Sequence, residues 1–136
     1  MKPLLDLIKQ FEGCKLTPYI CPAGVLTVGW GATGAGVNLG EVWTQAQADK
    51  RLESDALKAL RQTLALCPNL SGNRLYAVAD FTFNLGAGRL KASTLRKRIN
   101  AEQWELVPAE LRKWVLGAGK KLPGLVKRRE AEIALI

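Results

Sequence analysis

The sequence predicts a mainly helical α+β fold, in which a helix joins a small β-hairpin lobe to a larger helical lobe with a cleft between them. Apolar residues recur at helical spacing at the N-terminus and along most of the chain after Thr44. Between these segments, residues 15–36 are rich in proline and glycine and contain the alternation of a short hairpin. With 136 residues, 48% of them hydrophobic, the chain has the size and composition of one globular domain.

The first two elements have separate patterns in the sequence. Residues 3–11 predict a helix, because Leu4, Ile8 and Phe11 fall on one face at helical spacing and Gly13 is a suitable stop. The alternating stretch "VLTVGW" predicts a strand of a small hairpin that turns at residues 22–24. This hairpin is too short to form a domain alone.

The rest of the chain is predicted to be helical. Thr44 and Gln47 fit a capping box that starts a long helix, which should end at or before Cys67 because proline follows. The length of this helix allows a break near Asp55. Further helices are predicted from Ser71 or Asn73 to Leu85 with Gly86 closing the helix, from Ser93 to about Ile99, and over 102–106, 109–115 and 123–134.

These elements predict one domain, residues 1–136, with two sub-lobes. Residues 12–50 form the α+β lobe, and residues 60–136 with the N-terminal helix form the helical lobe. A cleft between two lobes is a usual place for a ligand site.

The absence of histidine excludes several kinds of active site. No Ser-His-Asp triad, Cys-His pair or histidine metal ligand can form. The three cysteines, Cys14, Cys21 and Cys67, lack the CxxC spacing of a zinc site and are expected to be free thiols. We therefore expect neither a metal nor a cofactor, and any acid–base chemistry must come from carboxylates, thiols, lysine or tyrosine.

The charge of the chain points to an anionic partner. The formal net charge is +8, which suits nucleic acid, anionic lipid or an acidic cell-wall polymer, although a solvated basic surface is the simpler interpretation. A nucleic-acid-binding helical module would need a recognition helix or a basic stripe interleaved with exposed aromatics, and the sequence has neither. The basic residues of the last third suggest a basic face on the helical lobe: Lys91, Arg96, Lys97, Arg98, Arg112, Lys113, Lys120, Lys121, Lys127, Arg128 and Arg129.

The N-terminal segment does not have the pattern of a targeting sequence. Asp6, Lys9 and Gln10 interrupt its apolar residues, so a signal-peptide core is absent. The apolar runs elsewhere are far shorter than the roughly 18–20 residues that span a bilayer. We expect the protein to be made in the cytoplasm.

One carboxylate, Glu12, lies where the first helix is predicted to end. Beside Phe11 it would be partly desolvated, which favours a protonated carboxylic acid that can donate to a leaving group. Thr27, on one face of the predicted hairpin, has a hydroxyl that can hold a water, and Cys21 lies in the loop before the turn. A solvated helix-end acid is the alternative interpretation of Glu12.

The same residues resemble a known family. Glu12, Cys21 and Thr27, followed by Gly-Trp-Gly at 29–31, match the spacing of the active site of the phage-type lysozymes, the endolysins of glycoside hydrolase family 24. The segment "LIKQFEG" is similar to the first helix of that family. The segments "VADFTFNLGAGRLKASTLRKRIN" and "LPGLVKRREAE" resemble its C-terminal lobe. The resemblance covers nearly the whole chain and implies a lysozyme-like fold.

The resemblance implies a function and a set of site residues. The chain would be a muramidase that hydrolyses the β-1,4 bond between N-acetylmuramic acid and N-acetylglucosamine in peptidoglycan and lyses the host cell. Glu12 would be the general acid and Thr27 would position the water. Cys21 would stand where many relatives have Asp, and Thr33 and Phe83 would contact the substrate. Release through a holin pore to the periplasm and a monomeric state are also implied.

Alternatives stay open for several of these residues. Cys21 also suits a small buried hydrophobe, and a Cys14–Cys21 disulfide would cap the thiol. Phe83 suits helix packing as well as the cleft, and the glycine-rich loop around Thr33 weakens the match there. Most of the four tryptophans are expected in the core. Arg128, Arg129 and Glu132 are spaced as weak structural ion pairs of a helix.

Alternatives also remain for the function. A wall-binding protein without catalysis and a lytic transglycosylase that forms an anhydro product would share the same scaffold. Glu12 and Thr27 together argue against the inactive scaffold, whereas nothing in the sequence outside the resemblance separates hydrolysis from transglycosylation.

Overall fold

A computed structural model describes all residues, 1–136, and has the predicted mainly helical α+β architecture. Seven α-helices, one 3₁₀ helix and two small antiparallel hairpins make up the chain. In order they are α1 (Lys2–Phe11), β1 (Lys15–Ile20), β2 (Leu26–Gly29), α2 (Gln45–Leu66), α3 (Gly72–Leu85), α4 (Ala87–Ala92), α5 (Thr94–Asn100), the 3₁₀ helix (Trp104–Leu106), α6 (Val107–Leu111), β3 (Leu116–Gly117), β4 (Lys120–Lys121) and α7 (Pro123–Ile133).

The first hairpin turns where the sequence predicts. Tyr19 pairs with Thr27 and Ile20 with Leu26, and β1 carries an irregularity between Lys15 and Tyr19 that bends the pair. The turn is closed by a bond from the Cys21 N–H to the Val25 carbonyl oxygen at 2.9 Å. This turn determines where Cys21 and Thr27 lie.

Helix α2 is one continuous helix of 22 residues, so the break near Asp55 does not occur. The predicted capping box is confirmed, since Thr44 and Gln47 exchange side-chain-to-backbone bonds. Buried small residues allow α3 to pack closely on α2, and the hydroxyls of Thr63 and Thr82 meet between them at 2.7 Å.

Two apolar clusters hold the helices around the cleft. Leu4 and Ile8 of α1 pack against Leu52 and Ala56 of α2 and Ala79 of α3. The larger cluster lies among α3 to α7, with Phe81 edge-on to Trp114 at 5.4 Å between ring centroids. The end of α1, which carries Glu12, is therefore anchored to the helical core.

The structure differs from the sequence-based expectation in the last third of the chain. Helix α4 was not predicted, and the helix predicted over 109–115 ends at Leu111. A second hairpin, β3–β4, follows it, because Ala118 and Gly119 both adopt positive φ and reverse the chain. None of the helices combines the length and apolar character that crossing a bilayer requires.

Candidate active site

Glu12 lies immediately after the last turn of α1, with its N–H donating to the Ile8 carbonyl oxygen and its backbone extended. Its side chain is 27% exposed. Arg128 Nη1 donates to Glu12 Oε1 at 2.8 Å, so a charged guanidinium borders the carboxylate, whereas the sequence suggested an apolar setting. The other oxygen, Oε2, accepts no hydrogen bond from the protein.

Glu12 Oε2 lies close to Gly31, at a position where a larger residue would meet the carboxylate. A Cβ on Gly31 would stand 3.3 Å from this oxygen, and Gly31 has φ of +86°, a conformation that favours glycine. The backbone therefore approaches Glu12 closely at the turn after β2. Gly31 also lines a cavity of about 390 Å³, whereas Glu12, Cys21 and Thr27 are not among its lining residues.

Cys21 and Thr27 are brought together by the first hairpin. Backbone N–H groups of Val25 and Ala23, with a smaller contribution from the Thr27 hydroxyl, lower the pKa of the Cys21 thiol. Thr27 is buried and also lies 3.0 Å from the Val25 carbonyl oxygen. Its single proton can be donated either to that carbonyl or to a Cys21 thiolate. No hydrogen bond joins Glu12 to either residue.

Thr33 and Phe83 line the same cavity of about 390 Å³. Its volume is within the range of small-molecule sites. Phe83 is half-buried, packs against the cluster of Leu4, Ile8, Leu52, Ala56 and Ala79, and also lines the cavity. The remaining lining residues come from α2, from the end of α3 and from the start of α4: Arg51, Asp55, Lys58, Ala59, Gln62, Thr82, Gly86 and Ala87, with Gly31 from the turn after β2.

Arg51 ties the glycine-rich loop that carries Thr33 to α2. Its Nη2 donates to the Thr33 carbonyl oxygen at 2.7 Å and its Nη1 to that of Ala35 at 2.6 Å. Asp55 binds the Nε of the same guanidinium at 3.1 Å. One side chain thereby orients a loop whose glycines would otherwise leave it free.

Sequence reasoning missed Asp80, and it was wrong to place Arg128 in a basic face and in a weak ion pair with Glu132. Arg128 is only 4% exposed and Asp80 is fully buried, and Arg128 bonds Asp80 as well as Glu12. An acid inside the apolar run "YAVADFTF" was the available indication, because a buried charge requires a partner. Nothing in the sequence showed that the partner lies 48 residues later.

Arg129 and Glu132 extend this charged cluster and are also buried, so they do not contribute to a basic face. Arg129 Nη2 donates to Glu132 Oε2 at 2.9 Å and to Asn84 Oδ1 at 2.8 Å. Burial, and then a hydrogen bond with Asp80, raise the pKa of Glu132 well above its usual range. Burial also acts to raise the pKa of Asp80, but the hydrogen bonds from Arg128 outweigh it, and the pKa of Asp80 is lowered.

The other two cysteines are free as well, and no group of histidine, cysteine or carboxylate side chains is arranged to hold a metal. Strand β1 separates Cys14 from Cys21 by roughly 20 Å of extended chain, whereas a disulfide needs Cα atoms within about 7 Å. A Cys14–Cys21 bond is therefore incompatible with the hairpin. Burial raises the pKa of the Cys67 thiol, at the end of α2, to about 11.

Comparisons with known proteins agree with this architecture. Residues 9–132 match the phage lysozyme family. The chain is 41% identical to the endolysin of Acyrthosiphon pisum secondary endosymbiont phage 1, over 96% of this chain and 92% of that relative. The muramidase domain of SpmX from Asticaccaulis excentricus superposes with a TM-score of 0.90 at 26% identity, over 99% of this chain and 95% of that one.

A third comparison places the same fold in a phage enzyme. The active form of the P1 phage endolysin Lyz superposes with a TM-score of 0.87 at 32% identity, over 99% of this chain and 83% of that one. Both the sequence match and the structural match extend across the helices and the hairpin that carry Glu12, Cys21 and Thr27. The chain belongs to the phage lysozyme family.

Proposed function

We propose that Glu12, Cys21 and Thr27 are the catalytic residues of this chain and that Thr33 and Phe83 contact its substrate. The chain is a lysozyme of the endolysin type, which hydrolyses the β-1,4 bond between N-acetylmuramic acid and N-acetylglucosamine in peptidoglycan.

The observation that carries the proposal is the pair of unequal oxygens of Glu12. Arg128 holds Oε1, whereas Oε2 has no protein donor and lies beside Gly31, which lines the cavity. A general acid needs such an arrangement, because one oxygen must be oriented and the other must carry the proton to the glycosidic oxygen. Glu12 Oε2 is the atom to which we assign that proton.

The second half of the reaction needs a group that assists water at the anomeric carbon. The Thr27 hydroxyl has lone pairs that can accept a hydrogen bond from a water, and its own proton is already directed to the hairpin. The turn lowers the pKa of Cys21, which increases the fraction of thiolate available beside Thr27. In this mechanism Thr27 orients the water and the Cys21 thiolate attracts its proton.

We further propose that the partner of the protein is the glycan strand of peptidoglycan, that no nucleic acid is bound and that the protein acts as a monomer. Release from the host cytoplasm would depend on a holin pore made by a separate protein. The endolysin relatives support action on the cell wall. The exposed basic residues around Lys120, Lys121 and Lys127 suit an anionic wall.

The test is the set of products released from purified peptidoglycan, identified by mass spectrometry, for the wild type and Glu12→Gln. We expect reducing muramic-acid ends from the wild type and at least ~100-fold less product from the variant, the lower end of a general-acid contribution. Glu53→Gln, an exposed acid on α2, is the matched control and should retain wild-type activity.

Three outcomes would contradict the proposal. Anhydro-muramic ends would make the protein a transglycosylase. No products from the wild type would indicate a wall-binding protein on an enzyme scaffold. Wild-type activity in Glu12→Gln would remove Glu12 from the mechanism.

A further inference from the structure

We propose that Asp80 is a positioning residue for the reaction, which holds Arg128 so that Arg128 orients Glu12, and which offsets the positive charge that Arg128 presents to Glu12. The inference rests on the proposed role of Glu12 as the acid. Asp80 itself is enclosed in the core and cannot touch the substrate.

One guanidinium connects the two carboxylates. Arg128 Nε donates to Asp80 Oδ2 at 2.9 Å and Nη2 donates to Oδ1 at 2.8 Å, while Nη1 donates to Glu12 Oε1 at 2.8 Å. The guanidinium is a rigid planar fork, so two parallel bonds on one edge determine the direction of the remaining nitrogen. The position of Asp80 on α3 therefore determines where Glu12 is held at the end of α1.

Burial makes the Asp80–Arg128 pair the stronger of the two contacts. Asp80 is 0% exposed and Arg128 is 4% exposed, whereas Glu12 is 27% exposed. Charges inside the protein are screened far less by salt and water than surface charges. Asp80 remains ionised in this setting because the bonds from Arg128 lower its pKa.

The consequence for catalysis is electrostatic. The charged groups that contact Arg128 are Glu12 from α1 and Asp80 from α3, and Asp80 is also influenced by Arg129 and Glu132 of α7. Asp80 offsets the positive charge of Arg128, so that Glu12 is oriented without facing a whole uncompensated cation. Without that compensation the cation would stabilise the ionised carboxylate, which has no proton to donate.

The test is Asp80→Asn, which keeps the size of the side chain and removes its charge. Initial rates on soluble peptidoglycan fragments give kcat and KM separately. They are measured over a range of pH, at a temperature well below the melting midpoint of each variant. We expect kcat to fall roughly 10- to 100-fold, as for a misoriented catalytic group, with KM unchanged. The alkaline limb of the pH profile should move to lower pH, which a merely structural role would not cause.

Asp49→Asn is the matched control. Asp49 accepts bonds from Trp30 at 2.8 Å and Gln45 at 2.9 Å but lies outside the arginine cluster. Its loss should affect stability without moving the pH profile. Asp80→Ser is a second test variant, which removes the charge without directing an amide N–H₂ at Arg128, and the same shift is expected.

An unchanged kcat and pH profile in folded Asp80→Asn would overturn the inference. So would failure of both Asp80 variants to fold, because Asp80 would then be a folding residue. These outcomes are distinct from failure of the proposed function. Full activity of Glu12→Gln would reject Glu12 as the acid whatever Asp80→Asn shows.

Discussion

At the scale of single residues, the distinctive feature of the proposed site is the Cys21 thiol, at a position where the family resemblance implies Asp in many relatives. A free cysteine has a reference pKa of about 8.5, against about 3.9 for Asp, so few free thiols are ionised at neutral pH. The turn around Cys21 lowers its pKa through backbone N–H groups of Val25 and Ala23. The hairpin therefore compensates in part for the weaker acidity of the thiol.

Substitutions of Cys21 test whether its charge assists the water. Cys21→Ser should lose most activity, roughly 100-fold, whereas Cys21→Asp should keep a substantial part because it restores an anion. Activity of the wild type should decline as pH falls through the lowered pKa of Cys21, since the thiolate is then protonated, and Cys21→Asp should stay active to lower pH. The measurement is the initial rate of peptidoglycan hydrolysis across pH.

Cys14→Ser is the control for that series, because Cys14 precedes β1 and lies outside the turn. Its activity and pH profile should be those of the wild type. Full activity in Cys21→Ala would exclude any catalytic role for Cys21.

At the scale of elements, α2 and the loop after β2 form one wall of the cleft. Residues 31–36 contain three glycines with positive φ, Gly31, Gly34 and Gly36, which give the loop little rigidity of its own. The Arg51 bonds to the carbonyl oxygens of Thr33 and Ala35 attach this loop to a long helix. The capped, unbroken α2 therefore holds the loop that forms this wall of the cleft.

Arg51→Lys tests this attachment. Lysine keeps the positive charge but has a single ammonium group. It cannot donate to the two loop carbonyl oxygens and to Asp55 at the same time, as the guanidinium of Arg51 does. We expect KM to rise roughly tenfold, the equivalent of about 1.4 kcal/mol of binding, with little change in kcat. Arg61→Lys, an exposed position on the same helix, is the control, and steady-state kinetics on soluble glycan fragments is the measurement. An unchanged KM would show that the loop orders itself.

At the scale of the whole molecule, a buried cluster of charges connects the two ends of the chain. Glu12 and Arg128 are 116 residues apart in sequence, and Asp80 lies between them in space. Arg129 and Glu132 complete the cluster on α7. Burial and the neighbouring Asp80 raise the pKa of Glu132, which assigns a proton to that residue, separate from the proton that the mechanism needs on Glu12.

The pH dependence of stability tests this assignment. The pKa of Glu132 is higher in the folded state than in the unfolded chain. Its contribution to the unfolding free energy is therefore present at acidic pH and is lost as pH rises from the ordinary pKa range of Glu through the pKa of the folded state. Glu132→Gln stays neutral at every pH and removes that loss. The unfolding free energy of Glu132→Gln relative to the wild type should therefore increase with pH in urea titrations.

Glu130→Gln is the matched control on the same helix. Glu130 is exposed and its bond with Arg112 lowers its pKa, so its small contribution to the unfolding free energy is lost as pH falls. The relative stability of Glu130→Gln should therefore change with pH in the opposite direction to that of Glu132→Gln. A relative stability of Glu132→Gln that does not change with pH would place the proton elsewhere in the cluster.

The fold class and most elements could be predicted from the sequence because their causes are local. Helical spacing of apolar residues, the Thr44–Gln47 capping box and the turn at residues 22–24 act over a few residues. The β3–β4 hairpin was missed because it depends on Ala118 adopting positive φ, which propensity disfavours. Helix α4 was missed as well, since its six residues include only one that is buried.

For the site, the sequence by itself determined the candidate residues and their spacing, since Glu12, Cys21 and Thr27 follow one another within 16 residues. Only the tertiary structure decided what surrounds them. It joined Arg128 to Glu12 across 116 residues, buried Asp80 behind them, and excluded a Cys14–Cys21 bond by extending β1 between the two thiols. The physical reason is that spacing encodes local geometry, whereas burial and ion pairing depend on how distant elements pack.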